Sequence, residues 1–143
     1  MPTVGARFEI TLDGHSMAQF SELQGISTEV ETIDYVESRD NVVLLLNRFV
    51  RAQPPISLRL VRPRGSDTRI FTWHQLAKAN PVTYRKKCTL ALYGVRFEPV
   101  ATWCLESAWP AKIELGGLTS VRGGPVPAEK VTLLCDGLYR ISP

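Results

Sequence analysis

Three cysteines and two histidines are the first candidates in this chain for a nucleophile, a general base or a metal ligand. Cys88, Cys104 and Cys135 are far apart, odd in number and lack a Cys-x-x-Cys pair, which argues against a disulfide framework and against a zinc site. Each lies in a strand-like run, so we expect reduced, buried thiols that pack as small apolar side chains. Catalysis by a Cys–His pair with His15 or His74 is not expected, because a reactive thiolate needs an exposed electropositive site.

Other catalytic signatures are missing from the sequence. It contains neither a GxSxG elbow nor a phosphate-binding P-loop, and its double-glycine segments are not followed by Lys-Ser or Lys-Thr. The carboxylates are scattered, so spacing alone pairs none of them as acid and base. We therefore predict that the chain is not an enzyme and that it needs no cofactor and no metal.

A basic run leaves a nucleic-acid-binding module as an alternative. Arg85, Lys86 and Lys87 follow Tyr84 directly. Sequence-independent binding to nucleic acid depends on many phosphate contacts, and a formal net charge of +3 is mild. A short basic run is also typical of a solvated entry into a strand, so the sequence favours a structural role over this alternative.

Length and composition predict one domain, residues 1–143, with its own core. The chain has 143 residues, of which 44% are hydrophobic and 22% charged, as in ordinary globular proteins. The longest apolar run, residues 42–46, is far shorter than a membrane span. The N-terminus shows no secretory signal pattern, and with reduced thiols this predicts assembly in the cytoplasm.

Strands are predicted from alternating apolar residues. Phe8, Ile10 and Leu12 share one face of an extended segment that ends in the turn signal Asp13-Gly14. Residues 56–60, 88–93 and 128–136 read as further strands, whereas the glycine pairs at 116–117 and 123–124 indicate loops. The sequence thus predicts a mostly β protein, arranged as a small antiparallel barrel or sandwich.

One helix is predicted, over residues 69–79. Asp67 or Thr68 could cap its start, and Asn80-Pro81 should end it. Trp73 and His74 fall on an apolar face at helical spacing, so we interpret His74 as a packing residue rather than a ligand.

The segment of residues 103–112 carries two tryptophans and a proline. Trp103, Leu105 and Trp109 have even spacing and so project from one face of a strand. Pro110 has no N–H for a sheet ladder, which predicts that the strand stops or bulges there. The predicted structural core comprises Phe8, Ile10, Leu12, Trp73, Trp103 and Trp109.

A long excursion between strands, at about residues 34–55, has two open interpretations. It contains a polar stretch, the apolar run of residues 42–46, and a closing Pro54-Pro55. The apolar run is either a buried strand or an exposed binding surface, since long excursions often make contacts.

Several segments, taken in order, resemble the tail tube proteins of contractile phages and of extracellular contractile injection systems. The opening strand with its Asp13-Gly14 turn and residues 20–35 are similar to the start of that family. Residues 56–73 are similar to its middle, and residues 103–112 to its tryptophan strand with the closing Trp-Pro. Residues 126–137 resemble its last strand, so the likeness spans nearly the whole chain.

This resemblance implies a fold of two packed antiparallel sheets, nearly a barrel, with one flanking α-helix. It also implies homo-hexameric rings that stack into a hollow inner tube within a contractile sheath above a baseplate. Such tubes pass DNA in phages and protein cargo in injection systems. The expected contacts between subunits and between stacked rings lie in the excursion, and the candidate residues are Asp34, Tyr35, Arg39, Val42, Leu44, Leu45, Arg48, Phe49 and Arg51.

The excursion departs from the family pattern. The family commonly has a Leu-Pro-Gly-like turn before the middle strand, and residues 44–55 do not match it. A specialised ring of the same particle, such as the tube initiator or an adaptor ring at the baseplate, therefore remains the alternative to the bulk tube subunit.

Overall fold

The structure of the chain, a computed structural model, describes residues 7–28, 32–34, 39–48, 55–63, 67–94, 96–119 and 125–142. These residues form nine strands and three helices. The strands are β1 (Arg7–Leu12), β2 (His15–Phe20), β3 (Glu22–Ser27), β4 (Thr32–Asp34), β5 (Ile56–Pro63), β6 (Lys86–Tyr93), β7 (Pro99–Thr119), β8 (Pro125–Cys135) and β9 (Gly137–Ser142). The helices are α1 (Arg39–Asn47), α2 (Arg69–Ala79) and α3 (Pro81–Tyr84).

The strands pair antiparallel throughout the described residues, which confirms the predicted mostly β, antiparallel fold. The path of hydrogen-bonded neighbours runs β2-β1-β6-β7-β8-β5-β3-β4, with β9 added beside β7. The described ends of this path do not pair with each other, so the sheet is not closed into a barrel.

The long strand β7 divides the sheet into two halves. Residues 99–108 of β7 pair with β6, and β9 lies on their other side. Residues 109–119 pair with β8 instead. We call β2, β1, β6, β9 and the first part of β7 the first half-sheet, and the second part of β7 with β8, β5, β3 and β4 the second half-sheet. Their apolar faces contribute to one common hydrophobic core.

The predicted turn at Asp13-Gly14 closes the β1–β2 hairpin. Leu12 lies opposite His15, so the loop has two residues. Asp13 has φ 53° and Gly14 has φ 81°, and both central residues of a type I′ turn require positive φ. Glycine adopts this conformation without strain, and aspartate is among the residues that tolerate it.

Helix α2 occupies residues 69–79 as predicted, and of the two candidate capping residues Asp67 provides the capping bond. Its Oδ1 accepts the backbone N–H of Arg69 at 3.0 Å, whereas Thr68 makes no side-chain capping bond. Asn80 ends α2, and its side chain then accepts an N–H of the short helix α3, which begins at Pro81. Helices α1 and α3 are additional to the one helix expected from the sequence.

Pro110 marks a β-bulge, as predicted from its missing N–H. The register between β7 and β8 shifts between Pro110 and Lys112, so Ala111 is the extra residue. The bulge comes directly after the point where β7 changes its partner from β6 to β8. Bulges bend strands and increase their twist, which allows one strand to serve both half-sheets.

In three segments the structure differs from the sequence-based prediction: the excursion, the glycine pair at 116–117, and the C-terminal strand. The excursion contains helix α1 rather than a strand. Gly116 and Gly117, interpreted from the sequence as loop residues, lie inside β7, where β8 pairs with them. The predicted last strand is followed by another: after Asp136, whose N–H donates to the carbonyl oxygen of Glu106 at 2.8 Å, β9 turns back to pair with β7 in the first half-sheet.

Candidate assembly surfaces

The three thiols lie in the interior. Cys88, Cys104 and Cys135 are buried and unpaired with one another. Burial raises the pKa of Cys88 well above its usual range and raises the pKa of Cys135 to about 12. Buried thiols with such pKa values stay protonated and cannot act as nucleophiles. Among the described residues, no group of three or more His, Cys, Asp or Glu side chains is placed to hold a metal ion.

Helix α1 places two leucines of the excursion, Leu45 and Leu46, in the core. Leu45 is 8% exposed and Leu46 is fully buried, whereas Leu44 is 66% exposed. Adjacent residues of a helix point in different directions, so the apolar run contributes to both the core and the surface. In the monomer Leu45 is thus a core residue rather than a surface residue, and Leu44 is the leucine of α1 that remains available for a contact between subunits.

The C-terminal end of α1 is hydrogen-bonded to Trp103 of β7. The indole Nε1 of Trp103, which is fully buried, donates a hydrogen bond to Oδ1 of Asn47 at 3.3 Å. The next residue, Arg48, is exposed, and its backbone N–H donates to the carbonyl oxygen of Leu45 at 3.2 Å. The position of the excursion helix is therefore set by core residues of β7 and of α1 itself.

The remaining predicted contact residues are placed by the backbone or lie outside the described residues. Asp34 ends β4, the outermost strand of the second half-sheet, and Arg39 and Val42 belong to α1. The side chains of these three are outside the description, as are all atoms of Tyr35, Phe49 and Arg51.

The predicted core residues fall into two groups. Phe8, Ile10, Trp73 and Trp103 are buried, whereas Leu12 and Trp109 are partly buried and pack against the core from its margin. The guanidinium of Arg85 lies 4.9 Å from the ring centroid of Trp109, in a cation–π contact. Lys86 Nζ lies 3.6 Å from Oδ2 of Asp13, so two residues of the basic run have intramolecular partners.

His74 joins helix α2 to the bulge of β7. Its Nδ1 lies 2.6 Å from the carbonyl oxygen of the buried Pro110, a contact in which the ring nitrogen must donate. Trp73 beside it donates from Nε1 to the carbonyl oxygen of Tyr84 at 2.7 Å. Both predicted packing residues of α2 therefore also satisfy backbone carbonyl groups, a role that the apolar spacing alone did not indicate.

The outer face of the second half-sheet is more polar than its core face, although the buried Val61 also lies on it. Along β5 and β8 the buried residues Leu58, Leu60, Val131 and Leu133 alternate with half-buried Arg59 and Thr132. Register places Arg59, Thr132 and Lys112 in one row, and Val61, Lys130 and Glu114 in the next. A shallow depression of about 250 Å³ lies on this face, lined by Gln24, Val61, Glu114, Leu115, Gly116, Ala128 and Lys130.

This polar face carries both signs of charge. Lys112 Nζ lies 3.8 Å from Glu114 Oε2, and both side chains are about half exposed or more. Such a pair has little effect on stability but keeps the surface hydrated. Of the charged residues named on this face, Arg59, Lys112 and Lys130 are basic and Glu114 is acidic, so this set has a net positive charge. The alternation in residues 56–60 predicted this strand, but the sequence did not reveal which polar side chains would share a face.

The second half-sheet also has two edges that no described strand covers. At one end β4 has β3 on one side, and the described residues supply no strand on the other. At the other end residues 112–119 of β7 have β8 on one side and, likewise, no described strand opposite. Unpaired strand edges present backbone donors and acceptors that readily pair with another chain.

A nearly buried ion pair fixes the end of the core next to these edges. Arg62 of β5 donates from Nε to Oε1 of Glu129 on β8 at 2.8 Å, and the two side chains are only 9% and 13% exposed. Arg62 also donates from Nη2 to the carbonyl oxygen of Asp67 at 3.0 Å. The pair thus connects the second half-sheet to the start of α2.

No helix of the described residues is both long and apolar enough to cross a membrane. No curated protein is significantly similar to the chain in sequence. The chain is similar in fold to the protein of an extracellular contractile injection system solved as the PVC sheath–tube complex in the extended state, with a TM-score of 0.59, 15% identity, and coverage of 100% of this chain and 92% of that chain.

Two further solved structures share the fold. The anti-feeding prophage cap, a tube-terminating cap, matches with a TM-score of 0.56 and 14% identity over 100% of this chain and 91% of that chain. The anti-feeding prophage baseplate matches with a TM-score of 0.52 and 14% identity over 96% of this chain and 92% of that chain. In sequence, residues 4–139 match the family described as T4-like virus tail tube protein gp19, which is structural and not enzymatic. The chain therefore belongs to the T4-like tail tube protein family.

Proposed function

We propose that this chain is the subunit of the inner tube of a contractile phage tail or contractile injection particle. In this proposal six copies form a ring, and the rings stack into a hollow tube through which DNA or a protein cargo passes. Sheath and baseplate proteins are the expected outer and terminal partners. Family membership supports the tube role, and the relatives solved in sheath–tube and baseplate structures support the choice of partners.

The observation that carries the ring proposal is the pair of edges on the second half-sheet that no described strand covers. Because β4 and β7 are different edges, the β7 edge of one copy can pair with the β4 edge of the next, and repetition closes a ring. Pairing satisfies the backbone groups that the isolated monomer leaves exposed. The second half-sheets of all copies would then form one continuous inner surface.

The polar face of the second half-sheet is the proposed lumen lining. Its opposite face packs on the core, so a ring joined through β4 and β7 must turn Arg59, Lys112, Glu114, Lys130 and Thr132 toward either the axis or the outside. We assign them to the axis, since a hydrated surface of charged and polar side chains suits a channel through which a macromolecule passes.

Stacking of rings is assigned to the excursion. Leu44 faces outward from α1 while Leu46 and Asn47 hold the helix on the core. An exposed leucine on a rigidly held helix presents apolar surface to a second ring without requiring the helix to refold. A tube-initiator or adaptor ring is the second candidate, because proteins of a tube cap and of a baseplate share the fold at TM-scores close to that of the protein from the sheath–tube complex.

The ring proposal is tested by blocking one edge without changing the core. Pro127 of β8 lies opposite Gly117 and has no N–H, so Gly117 and Pro127 form a pair of the kind that is not hydrogen-bonded. By alternation the backbone N–H of Leu115 should point to the free edge of β7. Leu115→Pro removes that donor, while Leu115→Ala keeps it and serves as the matched control. Leu115 is 62% exposed, so neither change empties the core.

Both variants should remain folded by circular dichroism, and only Leu115→Pro should lose rings in electron micrographs and sedimentation. Rings that persist in Leu115→Pro would rule out the β7 edge as the joining surface. A bulk tube subunit should extend into long tubes by itself at high concentration. An initiator or adaptor should stop at single rings until a tube protein is added.

A further inference from the structure

We infer that Arg69 blocks the outer edge of β2 against pairing with a further strand, which makes β2 a closed edge. Copies can then join through the second half-sheet but not through this end of the first. The inference rests on the proposed ring, because it concerns which edges a second copy can reach. The edge strand β2 ends the hydrogen-bonded path, just as β4 does at the other end. A six-residue edge strand left open would compete with the intended joining surface.

The hairpin register shows which backbone groups of β2 point outward. Leu12 and His15 flank the two-residue turn and form a hydrogen-bonded pair, so in the next pair, Thr11 and Ser16, the N–H and C=O groups point away from the partner strand. The carbonyl oxygen of Ser16 therefore faces the edge. It accepts a hydrogen bond from Nη1 of Arg69 at 2.6 Å. A donor from the start of α2 thus occupies the position that an added strand would need.

The guanidinium of Arg69 is held in this position by a bidentate contact. Its Nε lies 3.0 Å from Oδ1 of Asp67, and its Nη2 lies 2.6 Å from Oδ2. Asp67 is held in turn through its carbonyl oxygen by Arg62, which pairs with Glu129 of β8. These contacts run from the second half-sheet to the edge of the first. A fork-shaped, always-charged donor fixed at two points is well suited to cover a carbonyl group.

A β-bulge strengthens the closure of this edge. The register between β1 and β2 shifts between Ile10 and Thr11, so Met17 is the extra residue of β2. A bulge bends its strand and disrupts the regular spacing of outward donors and acceptors, which discourages pairing with a straight strand. By contrast, residues 112–119 of β7 pair with β8 without a register shift and keep a regular edge.

The test compares Arg69→Ala with Lys78→Ala, which removes another exposed cation from the same helix. The Arg69 side chain is 57% exposed, so the change leaves the core intact. Arg69→Ala should melt cooperatively and form irregular aggregates beside rings, with an association constant for non-ring assembly raised about tenfold or more, because a hydrogen bond to a charged group is lost. Lys78→Ala should assemble like the original chain.

A second variant identifies the edge that is released. Ser16→Pro removes the outward N–H of β2 and obstructs an added strand, so the double variant Arg69→Ala with Ser16→Pro should return aggregation to the original level. Three results would contradict the inference: Arg69→Ala aggregates no more than Lys78→Ala, it no longer melts cooperatively, or Ser16→Pro fails to suppress its aggregation. If the original chain forms no rings and yet Arg69→Ala aggregates and is suppressed, the ring proposal fails while the closed edge stands.

Discussion

Trp103 of β7 donates its indole N–H to the side-chain oxygen of Asn47 at the end of α1, across 3.3 Å. The bond connects the most buried tryptophan of the core to the segment proposed to contact the next ring. The position of α1 therefore depends in part on a core residue of β7. Strand β7 is therefore not only a packing element. Through Trp103 it also helps to fix the position of α1 and of its outward-facing Leu44.

Asn47→Ala should leave the buried indole N–H without its acceptor. We expect a loss of about 1–3 kcal/mol in the free energy of unfolding, measured by urea denaturation. Trp103→Phe removes the donor, and in the double variant the cost of Asn47→Ala should nearly disappear. Equal costs of Asn47→Ala in both backgrounds would show that the hydrogen bond does not hold α1.

Adjacent leucines of α1 should respond in opposite ways to a charge. Leu45→Asp buries an unpaired carboxylate in the core and should unfold the protein or cost about 3 kcal/mol or more. Leu44→Asp changes a side chain that is 66% exposed, so the monomer should keep its melting temperature while stacking of rings is lost. If Leu44→Asp forms tubes of normal length, Leu44 does not make the contact between stacked rings.

The contact between His74 and Pro110 should stabilise the junction of α2 with the bulge. His74→Ala leaves the buried carbonyl oxygen of Pro110 without a donor, at an expected cost of about 1–3 kcal/mol in chemical denaturation. His15→Ala is the control, because His15 is exposed beside the first turn and should be close to neutral. A cost for His74→Ala no larger than for His15→Ala would mean that packing alone holds the helix.

Asp67 should give stability that depends on pH. The side-chain hydrogen bonds from Arg69 lower the pKa of Asp67 from 3.8 to about 2. A lowered pKa in the folded state stabilises the protein above the unfolded value of 3.8, and this contribution is lost as the pH falls through about 2. Because the side chain is 36% exposed, screening limits the effect to about 1 kcal/mol or less.

The measurement compares the original chain with Asp67→Asn, since asparagine can still cap α2. The difference in free energy of unfolding should be constant near neutral pH and shrink in strong acid. If the difference in free energy of unfolding between the two proteins stays constant as the pH falls to the pKa of Asp67, the ion pair makes no measurable contribution to stability.

Local signals in the sequence predicted the elements whose conformation is decided by a few neighbouring residues. Asp13-Gly14 specified a turn, Asp67 or Thr68 marked the start of α2, and Pro110 marked a stop or a bulge. In each case a backbone requirement, such as positive φ or a missing N–H, leaves few alternatives. The family resemblance added the order of the segments, which the local signals could not supply.

The sequence was least informative where tertiary contacts decide the structure. The apolar run of residues 42–46 has no periodicity that separates helix from strand, and burial of Leu45 and Leu46 beside exposed Leu44 is what defines its faces. Gly116 and Gly117 look like loop residues, yet pairing with β8 overrides that preference. The edge role of Arg69 depends on a residue 53 positions away, and no local pattern reports it.

The most direct test of the account is cryo-electron microscopy of the purified chain at raised concentration. The account predicts stacked six-membered rings in which the β7 edge of each copy meets the β4 edge of the next and Arg59, Lys112, Lys130 and Thr132 line the channel. Monomers at every concentration, even with sheath and baseplate proteins present, would contradict it. So would rings joined through β2.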